Sequence, residues 1–187
     1  MPSGKPGGIF KGDAFLKKVF FAAVAGDSYR EQSEAAHSLL IKELATFLCC
    51  NESGIVIKKD RKGKPFVAGR DDIFISISHT KGAVMVGFSD SPIGVDIEQI
   101  KTRRKSVENR VFTSGESTLI DASDDENKAF FALWTLKESY LKAVGTGFAD
   151  NAKEIEFFSL SNPVKSNSEQ FSFETGVWQN CAFSICN

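Results

Sequence analysis

Two acidic residues stand two positions apart in the segment Gly-Val-Asp-Ile-Glu at residues 94–98. Side chains alternate between the faces of a β-strand, so Asp96 and Glu98 would share one face while Val95 and Ile97 anchor the strand in a core. Two carboxylates held side by side suit a hard cation such as Mg²⁺, which prefers oxygen ligands. An edge strand with a solvated acidic face has the same pattern, and the pair by itself favours that simpler interpretation.

A third carboxylate occurs in a segment with helical periodicity, residues 126–144. Glu138 follows Trp134 by four positions and precedes Lys142 by four, so the three side chains share one flank of the predicted helix. A surface Glu–Lys ion pair, stabilising by about 0.2–0.5 kcal/mol, is the simpler interpretation. In the functional interpretation, Glu138 faces the acidic pair across a cleft and Lys142 offers its charge to a phosphate. Three carboxylates on two rigid elements would then fix Mg²⁺ and leave room for a pyrophosphate.

Phosphate-binding residue types occur upstream in the segment Ser-Ile-Ser-His at residues 76–79, which ends a predicted strand. The Ser78 hydroxyl and His79 both suit a phosphate, with the flexible Gly82 following. A histidine in a turn is more often a solvated or packing residue. A Ser–His–Asp hydrolase is set aside, because the chain has no nucleophile-elbow motif.

A basic turn at residues 58–64 leads into Gly63-Lys64-Pro65. This rigid kink carries one charge and could support a flat purine or a phosphate. It lacks the spacing of a P-loop, so the usual nucleoside-triphosphate signature is absent. A soluble hairpin is the alternative interpretation.

The composition narrows the class of protein. The chain has 187 residues, of which 42% are hydrophobic, and a net charge of −1. A sizeable core is therefore expected, and neither a nucleic acid nor a membrane is expected as a partner. No apolar run approaches the roughly 20 residues that span a bilayer. Residues 1–8 lack the apolar core of a secretion signal and are predicted to be a flexible leader.

The cysteines favour a reducing, cytoplasmic location. Cys49 and Cys50 are adjacent, and Cys181 and Cys186 lie near the end of the sequence. Neither spacing fits a zinc site, and so few cysteines do not form a disulfide framework in a chain of this length.

The predicted elements follow the order of one helix and then strands, followed by further helices and then strands. The helix predictions cover residues 28–48, 107–112 and 126–144, with a capping box of Thr113 and Glu116 between the last two and a stop at residues 145–147. The strand predictions cover residues 55–57, 66–68, 73–78, 83–89, 93–98, 153–160, 170–173 and 180–186. The strands at 73–98 are predicted to form an antiparallel meander. The order favours an α+β fold of two similar halves, residues 1–100 and 101–187.

Taken in order and at their separations, these motifs resemble the 4′-phosphopantetheinyl transferases of the Sfp-like group, the holo-acyl-carrier-protein synthase type. The resemblance covers about residues 63–147. It is carried by the segments at residues 63–65, 76–79, 94–98, 110–116 and 134–142.

The resemblance implies a pseudo-dimeric α+β fold with its active site in the cleft between the halves, with coenzyme A as substrate and Mg²⁺ as cofactor. It implies that Asp96, Glu98 and Glu138 hold the metal, and that Glu138, Asp96 and Lys142 are catalytic. The residues implied for coenzyme A are Gly63, Lys64 and Pro65 on the adenine side, Ser78 and His79 near the 3′-phosphate, and Lys142 at the pyrophosphate.

One departure concerns the first helix, where family members usually carry a basic residue that reaches the 3′-phosphate. That position falls near Ser33 in this sequence, with Arg30 one turn earlier.

The implied reaction moves the phosphopantetheine arm of coenzyme A to a serine of an acyl or peptidyl carrier protein and releases 3′,5′-ADP, and the enzyme is expected to be a monomer. The basic segment at residues 101–105 is either a docking surface for an acidic carrier or an exposed loop. A Mg²⁺-dependent phosphohydrolase and a carrier-binding module without activity remain as alternatives.

Overall fold

The computed structural model describes residues 16–146 and 152–187. The predicted leader at residues 1–8 and Gly147 of the predicted helix stop lie outside these ranges. The fold is mixed α+β, as predicted. In chain order, its elements are β1 (Lys17–Ala23), α1 (Tyr29–Phe47), a 3₁₀ turn (Glu52–Gly54), β2 (Ile57–Lys59), β3 (Pro65–Val67), β4 (Phe74–Thr80), β5 (Ala83–Ser89), β6 (Gly94–Gln99), α2 (Lys105–Val111), α3 (Ser114–Asp121), α4 (Glu126–Val144), β7 (Phe157–Ser159), β8 (Lys165–Ser166), β9 (Phe173–Trp178) and β10 (Cys181–Cys186).

The strands of residues 16–146 and 152–187 form three sheets. The largest has five strands in the order β1-β5-β4-β3-β2, and α1 packs on it through the fully buried Leu40 and Leu44. The second has the order β6-β10-β9 and is covered by α4, and the third pairs β7 with β8. None of the described helices has the length and apolar content needed to cross a bilayer.

The predicted meander is wrong in its third strand. β5 pairs antiparallel with β4 on one edge and with β1 on the other, so it has no free edge for β6. β6 pairs instead with β10, where Asp96 lies opposite Ser184. The sequence interpretation had no strand at Lys17–Ala23, and this missing strand is the reason for the error.

Several boundaries also differ from the prediction. His79 and Thr80 continue β4, although they were assigned to the following turn. The strand predicted at residues 170–173 begins only at Phe173 and runs to Trp178. Val144, the last residue of the predicted long helix, is 42% exposed. The division into residues 1–100 and 101–187 stays a prediction.

Local signals set the ends of the helices. The Ser28 side chain begins α1 in a capping box with Glu31, and Thr113 does the same for α3 with Glu116. At the end of α4, Gly145 adopts φ 79°, a left-handed conformation that glycine tolerates, and its N–H bonds to the carbonyl of Leu141.

A buried ion pair ties α4 to the elements around it. Lys137 and Glu116 are both fully buried, and Lys137 Nζ lies 2.8 Å from Glu116 Oε2. Lys137 also donates to the carbonyls of Ala152 and Ile155, at 2.7 and 2.8 Å. Glu116 accepts the N–H of Phe157 at 3.0 Å, so the pair joins α3, α4 and the segment that leads into β7.

At Gly94, helix α4 lies directly against strand β6. A Cβ added to this residue would lie 1.8 Å from the carbonyl oxygen of Ser139 in α4. Only glycine lets the backbones of β6 and α4 come this close. The contact brings the α4 turn that carries Glu138 against the strand that carries Asp96.

Candidate active site

A cavity of about 440 Å³ collects all the site residues that the sequence predicted. Its walls come from α1, the β2–β3 hairpin, β4, β6 and α4. The predicted residues that line it are Gly63, Lys64, Pro65, Ser78, His79, Asp96, Glu98, Glu138 and Lys142. Residues far apart in the sequence therefore meet at one place in the fold.

Asp96 lies at the centre of the acidic side of the cavity. It is 3% exposed, and its Oδ1 atom accepts hydrogen bonds from Ser78 Oγ at 2.7 Å and from Lys142 Nζ at 2.6 Å. Its Oδ2 atom is buried and has no hydrogen-bond partner among residues 16–146 and 152–187. A buried carboxylate oxygen without a partner is costly, and this atom is therefore open to a ligand.

Lys142 ties α4 to β6. Besides Asp96, it donates to the carbonyl of Val95 at 3.1 Å. Its ion pair is with Asp96 across the two elements, whereas the simpler interpretation of the sequence paired it with Glu138 on the same helix.

The other two carboxyl groups have perturbed pKa values. Burial and the nearby charge of Asp96 raise the pKa of Glu98 to about 7. Burial and, to a smaller extent, the charge of Asp96 also raise the pKa of Glu138 to about 7. Negative charge is crowded here and has too little positive charge to offset it.

This donor set fits a hard divalent cation, because carboxylate oxygens are its preferred ligands and Asp96 Oδ2 is available. Within residues 16–146 and 152–187, no three His, Cys, Asp or Glu side chains already form a metal cluster. Side-chain rotation would therefore have to draw the carboxylates together around a cation.

The β2–β3 hairpin forms a cationic side of the cavity through Lys59, Lys62 and Lys64, whereas Lys142 lies against Asp96. Lys64 Nζ donates to the carbonyl of Ala143 near the end of α4, at 2.6 Å. Burial lowers the pKa of Lys64.

Two histidines complete this cationic side. Burial and the charge of Lys142 lower the pKa of His79, whose ring packs edge-on against Tyr29 with the ring centroids 4.7 Å apart. Burial and the charge of Lys59 lower the pKa of His37. A bound anion would favour the charged form of both rings, because it adds the negative charge that this side lacks.

The first helix contributes His37, which the sequence interpretation missed. Ser33 lines the cavity, as its position suggested, and His37 follows it by one helical turn on the same face. Arg30, with its side chain 86% exposed, pairs with Glu34 at 2.7 Å. The signal in the sequence was the four-residue spacing from Ser33 to His37.

A second cavity of about 330 Å³ shares Glu98 with the first. Lys101 and Arg104 line it together with the aromatic residues Phe130, Phe131 and Trp134. This groove is thus basic and aromatic.

Arg103 belongs to the same basic segment, but its side chain is only 7% exposed. It forms ion pairs with Glu108 at 3.2 Å, Asp121 at 2.8 Å and Glu126 at 3.3 Å. Only part of the basic segment therefore faces outward.

A family model and several relatives similar to this chain all describe the same class of protein. The family model described as the 4′-phosphopantetheinyl transferase superfamily matches residues 92–184. The 4′-phosphopantetheinyl transferase gsp of Aneurinibacillus migulanus is 36% identical over 123 residues, which is 65% of this chain and 50% of that protein. The 4′-phosphopantetheinyl transferase Sfp of Bacillus subtilis is 32% identical over 101 residues, or 53% of this chain and 45% of that protein.

A eukaryotic relative covers more of the chain. The L-aminoadipate-semialdehyde dehydrogenase-phosphopantetheinyl transferase of Schizosaccharomyces pombe is 32% identical over an alignment 195 positions long, gaps included, which covers 85% of this chain and 75% of that protein. By contrast, the chain spans about half the length of the Aneurinibacillus and Bacillus relatives.

Proposed function

The chain belongs to the 4′-phosphopantetheinyl transferase superfamily, and on that premise we propose that it transfers the 4′-phosphopantetheine arm of coenzyme A to a serine of an acyl or peptidyl carrier protein. One observation carries the proposal. A single cavity holds three carboxylates from β6 and α4 together with lysines and histidines from α1, the β2–β3 hairpin and β4. Such a divided charge pattern suits a phosphoanhydride that is bound together with a cation.

The cationic side of the cavity is the proposed binding surface for coenzyme A. Gly63, Lys64 and Pro65 would contact the adenine side, and His79 with His37 would face the 3′-phosphate. Lys142 would contact the pyrophosphate, within reach of the carboxylates. The fold is proposed to be pseudo-dimeric, with this cavity in the cleft between its halves.

The acidic side is the proposed Mg²⁺ site, with Asp96, Glu98 and Glu138 as ligands. When bound, Mg²⁺ would neutralise the charge that builds on the leaving pyrophosphate oxygen. The crowded negative charge at Glu98 and Glu138 supports this assignment.

In the reaction, the carrier serine Oγ attacks the β-phosphorus of coenzyme A, the bond to the bridging oxygen breaks, and 3′,5′-ADP leaves with that electron pair. Glu138 takes the serine proton on a carboxylate oxygen. Lys142 holds its charge beside the pyrophosphate, and the rigid β6–α4 contact at Gly94 keeps Glu138 and Asp96 in place. Positioning and electrostatics supply most of the rate in such transfers.

The second cavity is the proposed carrier-docking groove. It opens beside Glu98, so a carrier seated there would bring its serine close to the carboxylates. Lys101 and Arg104 would attract an acidic carrier, and Phe130, Phe131 and Trp134 would supply apolar contact.

The test is to incubate the protein with coenzyme A, Mg²⁺ and an apo carrier protein and to weigh the carrier by mass spectrometry. We expect the carrier to gain one phosphopantetheine arm. Release of 3′,5′-ADP without labelling would indicate a phosphohydrolase instead. Binding of the carrier without either product would indicate a module without catalytic activity.

Two variants test the site assignment. Asp96→Ala and Glu138→Ala should each abolish carrier labelling, because each removes a proposed metal ligand and Glu138→Ala also removes the base. Glu169→Ala, which changes an exposed glutamate away from the cavity, is the matched control and should label normally. Full activity in either site variant would show that the assignment is wrong.

A further inference from the structure

Arg103 is a buried arginine at the centre of the basic segment, residues 101–105, whose other members are exposed. The three carboxylates around its side chain belong to three helices: Glu108 to α2, Asp121 to α3 and Glu126 to α4. Its Nη2 atom donates a hydrogen bond to Asp121, whereas its Nε and Nη1 atoms contact the two glutamates as ion pairs without hydrogen-bond geometry. A single exposed ion pair contributes little, but one planar guanidinium that meets three carboxylates is held in one place. Arg103 therefore fixes the basic segment against three helices.

The backbone of the segment is also tethered at two points. The N–H of Ile100 donates to the carbonyl of Asn180 at 2.9 Å, and the N–H of Arg103 donates to Asn127 Oδ1 at 2.8 Å. Arg104, which follows the second tether, is the N-cap residue of α2, and its side chain makes no capping hydrogen bond. The start of α2 therefore depends on the neighbouring Arg103 and its contacts.

These contacts join the two walls of the second cavity. One wall is the basic segment, with Lys101 and Arg104, and the other is the aromatic face of α4 that begins at Phe130. The side chain of Arg103 pairs with Glu126, which lies one helical turn before Phe130, and its N–H binds the next residue of α4. The distance between the basic wall and the aromatic wall is thus set by Arg103.

A fixed wall matters because lysine and arginine side chains on a loose loop lose much freedom when a partner binds them. This loss of conformational entropy weakens binding, and a loop that is already held in its bound position avoids part of it. Complementary charges also steer an acidic partner only if they are held together at one place on the surface. The contacts of Arg103 provide this arrangement before any partner is present.

We propose that Arg103 is a positioning residue for the carrier protein: it holds Lys101 and Arg104 beside the aromatic face of α4, so that the docking groove is formed before an acidic carrier arrives. The proposal rests on the proposed function, since it concerns the carrier of that reaction. Arg103 acts through its neighbours and does not itself contact the carrier. Its substitution should therefore change the KM for the carrier and leave the chemistry at the carboxylates alone.

The test is the kinetics of carrier labelling by the full chain, with an acidic apo carrier protein varied at saturating coenzyme A and Mg²⁺. Arg103→Met should raise the KM for the carrier about fivefold or more, the loss expected when one or two exposed charge contacts are removed. The kcat and the KM for coenzyme A should each stay within about twofold. Arg103→Lys keeps the charge but should also raise the KM for the carrier, because one ammonium group cannot meet three carboxylates as a guanidinium does.

A double-mutant cycle separates positioning from a general loss of stability. Lys101→Ala should raise the KM for the carrier about two- to fivefold in the unmodified protein, because it removes one docking charge. In the Arg103→Met protein the same change should add almost nothing, because Lys101 is already out of place. Such coupling is expected between residues that act as one unit and not between independent sites.

Arg70→Met is the matched control. Arg70 forms two hydrogen bonds with Asp72, both at 2.8 Å, between β3 and β4 and away from the groove, so its loss should leave the KM for the carrier unchanged. Asn127→Ala keeps the test open if Arg103→Met does not fold, because this exposed side chain can be removed without a change in charge. It cuts the backbone tether of Arg103 and should raise the KM for the carrier about twofold or more.

Three results would overturn the proposal. In the first, the Arg103 and Asn127 variants label the carrier with the same KM as Arg70→Met, which would make the contacts of Arg103 merely structural. In the second, Lys101→Ala raises the KM by the same factor with and without Arg103, which would mean that Arg103 acts through its own charge. In the third, the unmodified protein labels no carrier; the proposed function then fails, whereas in the first two cases it stands.

Discussion

Replacing Glu98 by glutamine should stabilise the metal-free protein at pH 8. The pKa of Glu98 is raised from 4.5 to about 7 by burial and by the charge of Asp96, so the folded protein disfavours the charged form. Between about pH 4.5 and 7, the folded protein binds more protons at this group than the unfolded chain does. Its stability therefore falls as the pH rises through this window, and the full cost is present above about pH 7.

The size of the effect follows from the change in pKa. A pKa change of one unit corresponds to about 1.4 kcal/mol, so the rise from 4.5 to about 7 makes the cost of charging Glu98 in the folded protein at most about 3.5 kcal/mol. The side chain is partly exposed, and solvent screening reduces this cost. We therefore expect Glu98→Gln to raise the free energy of unfolding by about 1–2 kcal/mol at pH 8. The gain should shrink toward zero near pH 4.5.

The measurement is urea denaturation in EDTA at several pH values, followed by tryptophan fluorescence. Glu169→Gln changes an exposed glutamate and should stay within about 0.5 kcal/mol of the unmodified protein at every pH. The same Glu98→Gln variant should lose Mn²⁺ affinity, because it lacks the charge that the cation needs. A variant that is no more stable than the unmodified protein at pH 8 would refute the argument that burial and the charge of Asp96 raise the pKa of Glu98.

Three further results are expected. Gly94→Ala should lower the free energy of unfolding, measured by urea denaturation, by about 3 kcal/mol or more, because the new Cβ would overlap the Ser139 carbonyl. An unchanged free energy of unfolding would mean that α4 does not lie this close to β6. Lys137→Met should lower the free energy of unfolding by about 3–5 kcal/mol, because it leaves the Glu116 carboxylate buried without its cationic partner. Adding Glu116→Leu should recover part of this loss. Equal stability of the single and double variants would argue against the ion pair. Binding of Mn²⁺ near pH 7 should release about one proton, because Glu98 and Glu138 are each about half protonated at that pH. Calorimetry in buffers of different ionisation enthalpy should therefore show a binding heat that depends on the buffer. A heat independent of the buffer would contradict the raised pKa values.

Local patterns predicted the helices well. The predicted helix at residues 126–144 matches α4 at both ends, because Asp125 caps its start and Gly145 ends it in a left-handed conformation. The capping box of Thr113 and Glu116 likewise forms as predicted. Helix ends depend on contacts between residues three or four positions apart, and such contacts can be found in a sequence.

Strand pairing was predicted less well, because it depends on partners far away in the chain. The alternation along residues 94–98 correctly indicated a strand with its carboxylates on one face. The sequence of β6 alone does not indicate whether it pairs with β5 or with β10. The choice depends on β1, which occupies the other edge of β5 and leaves β6 to pair with a strand more than eighty residues later.

The sequence by itself determined which side chains are available for chemistry: the Asp96–Glu98 pair, Glu138 with Lys142 one turn later, and the histidine and lysines upstream. These follow from residue type and from the periods of strand and helix. Only the tertiary structure decided their partners. Lys142 pairs with Asp96 because Gly94 lets α4 lie directly on β6, and Ser78 gives its proton to the same carboxylate because β4 faces the free edge of β6. Contacts across two sheets and a helix are set by how whole elements pack, and no short segment of the sequence specifies that packing.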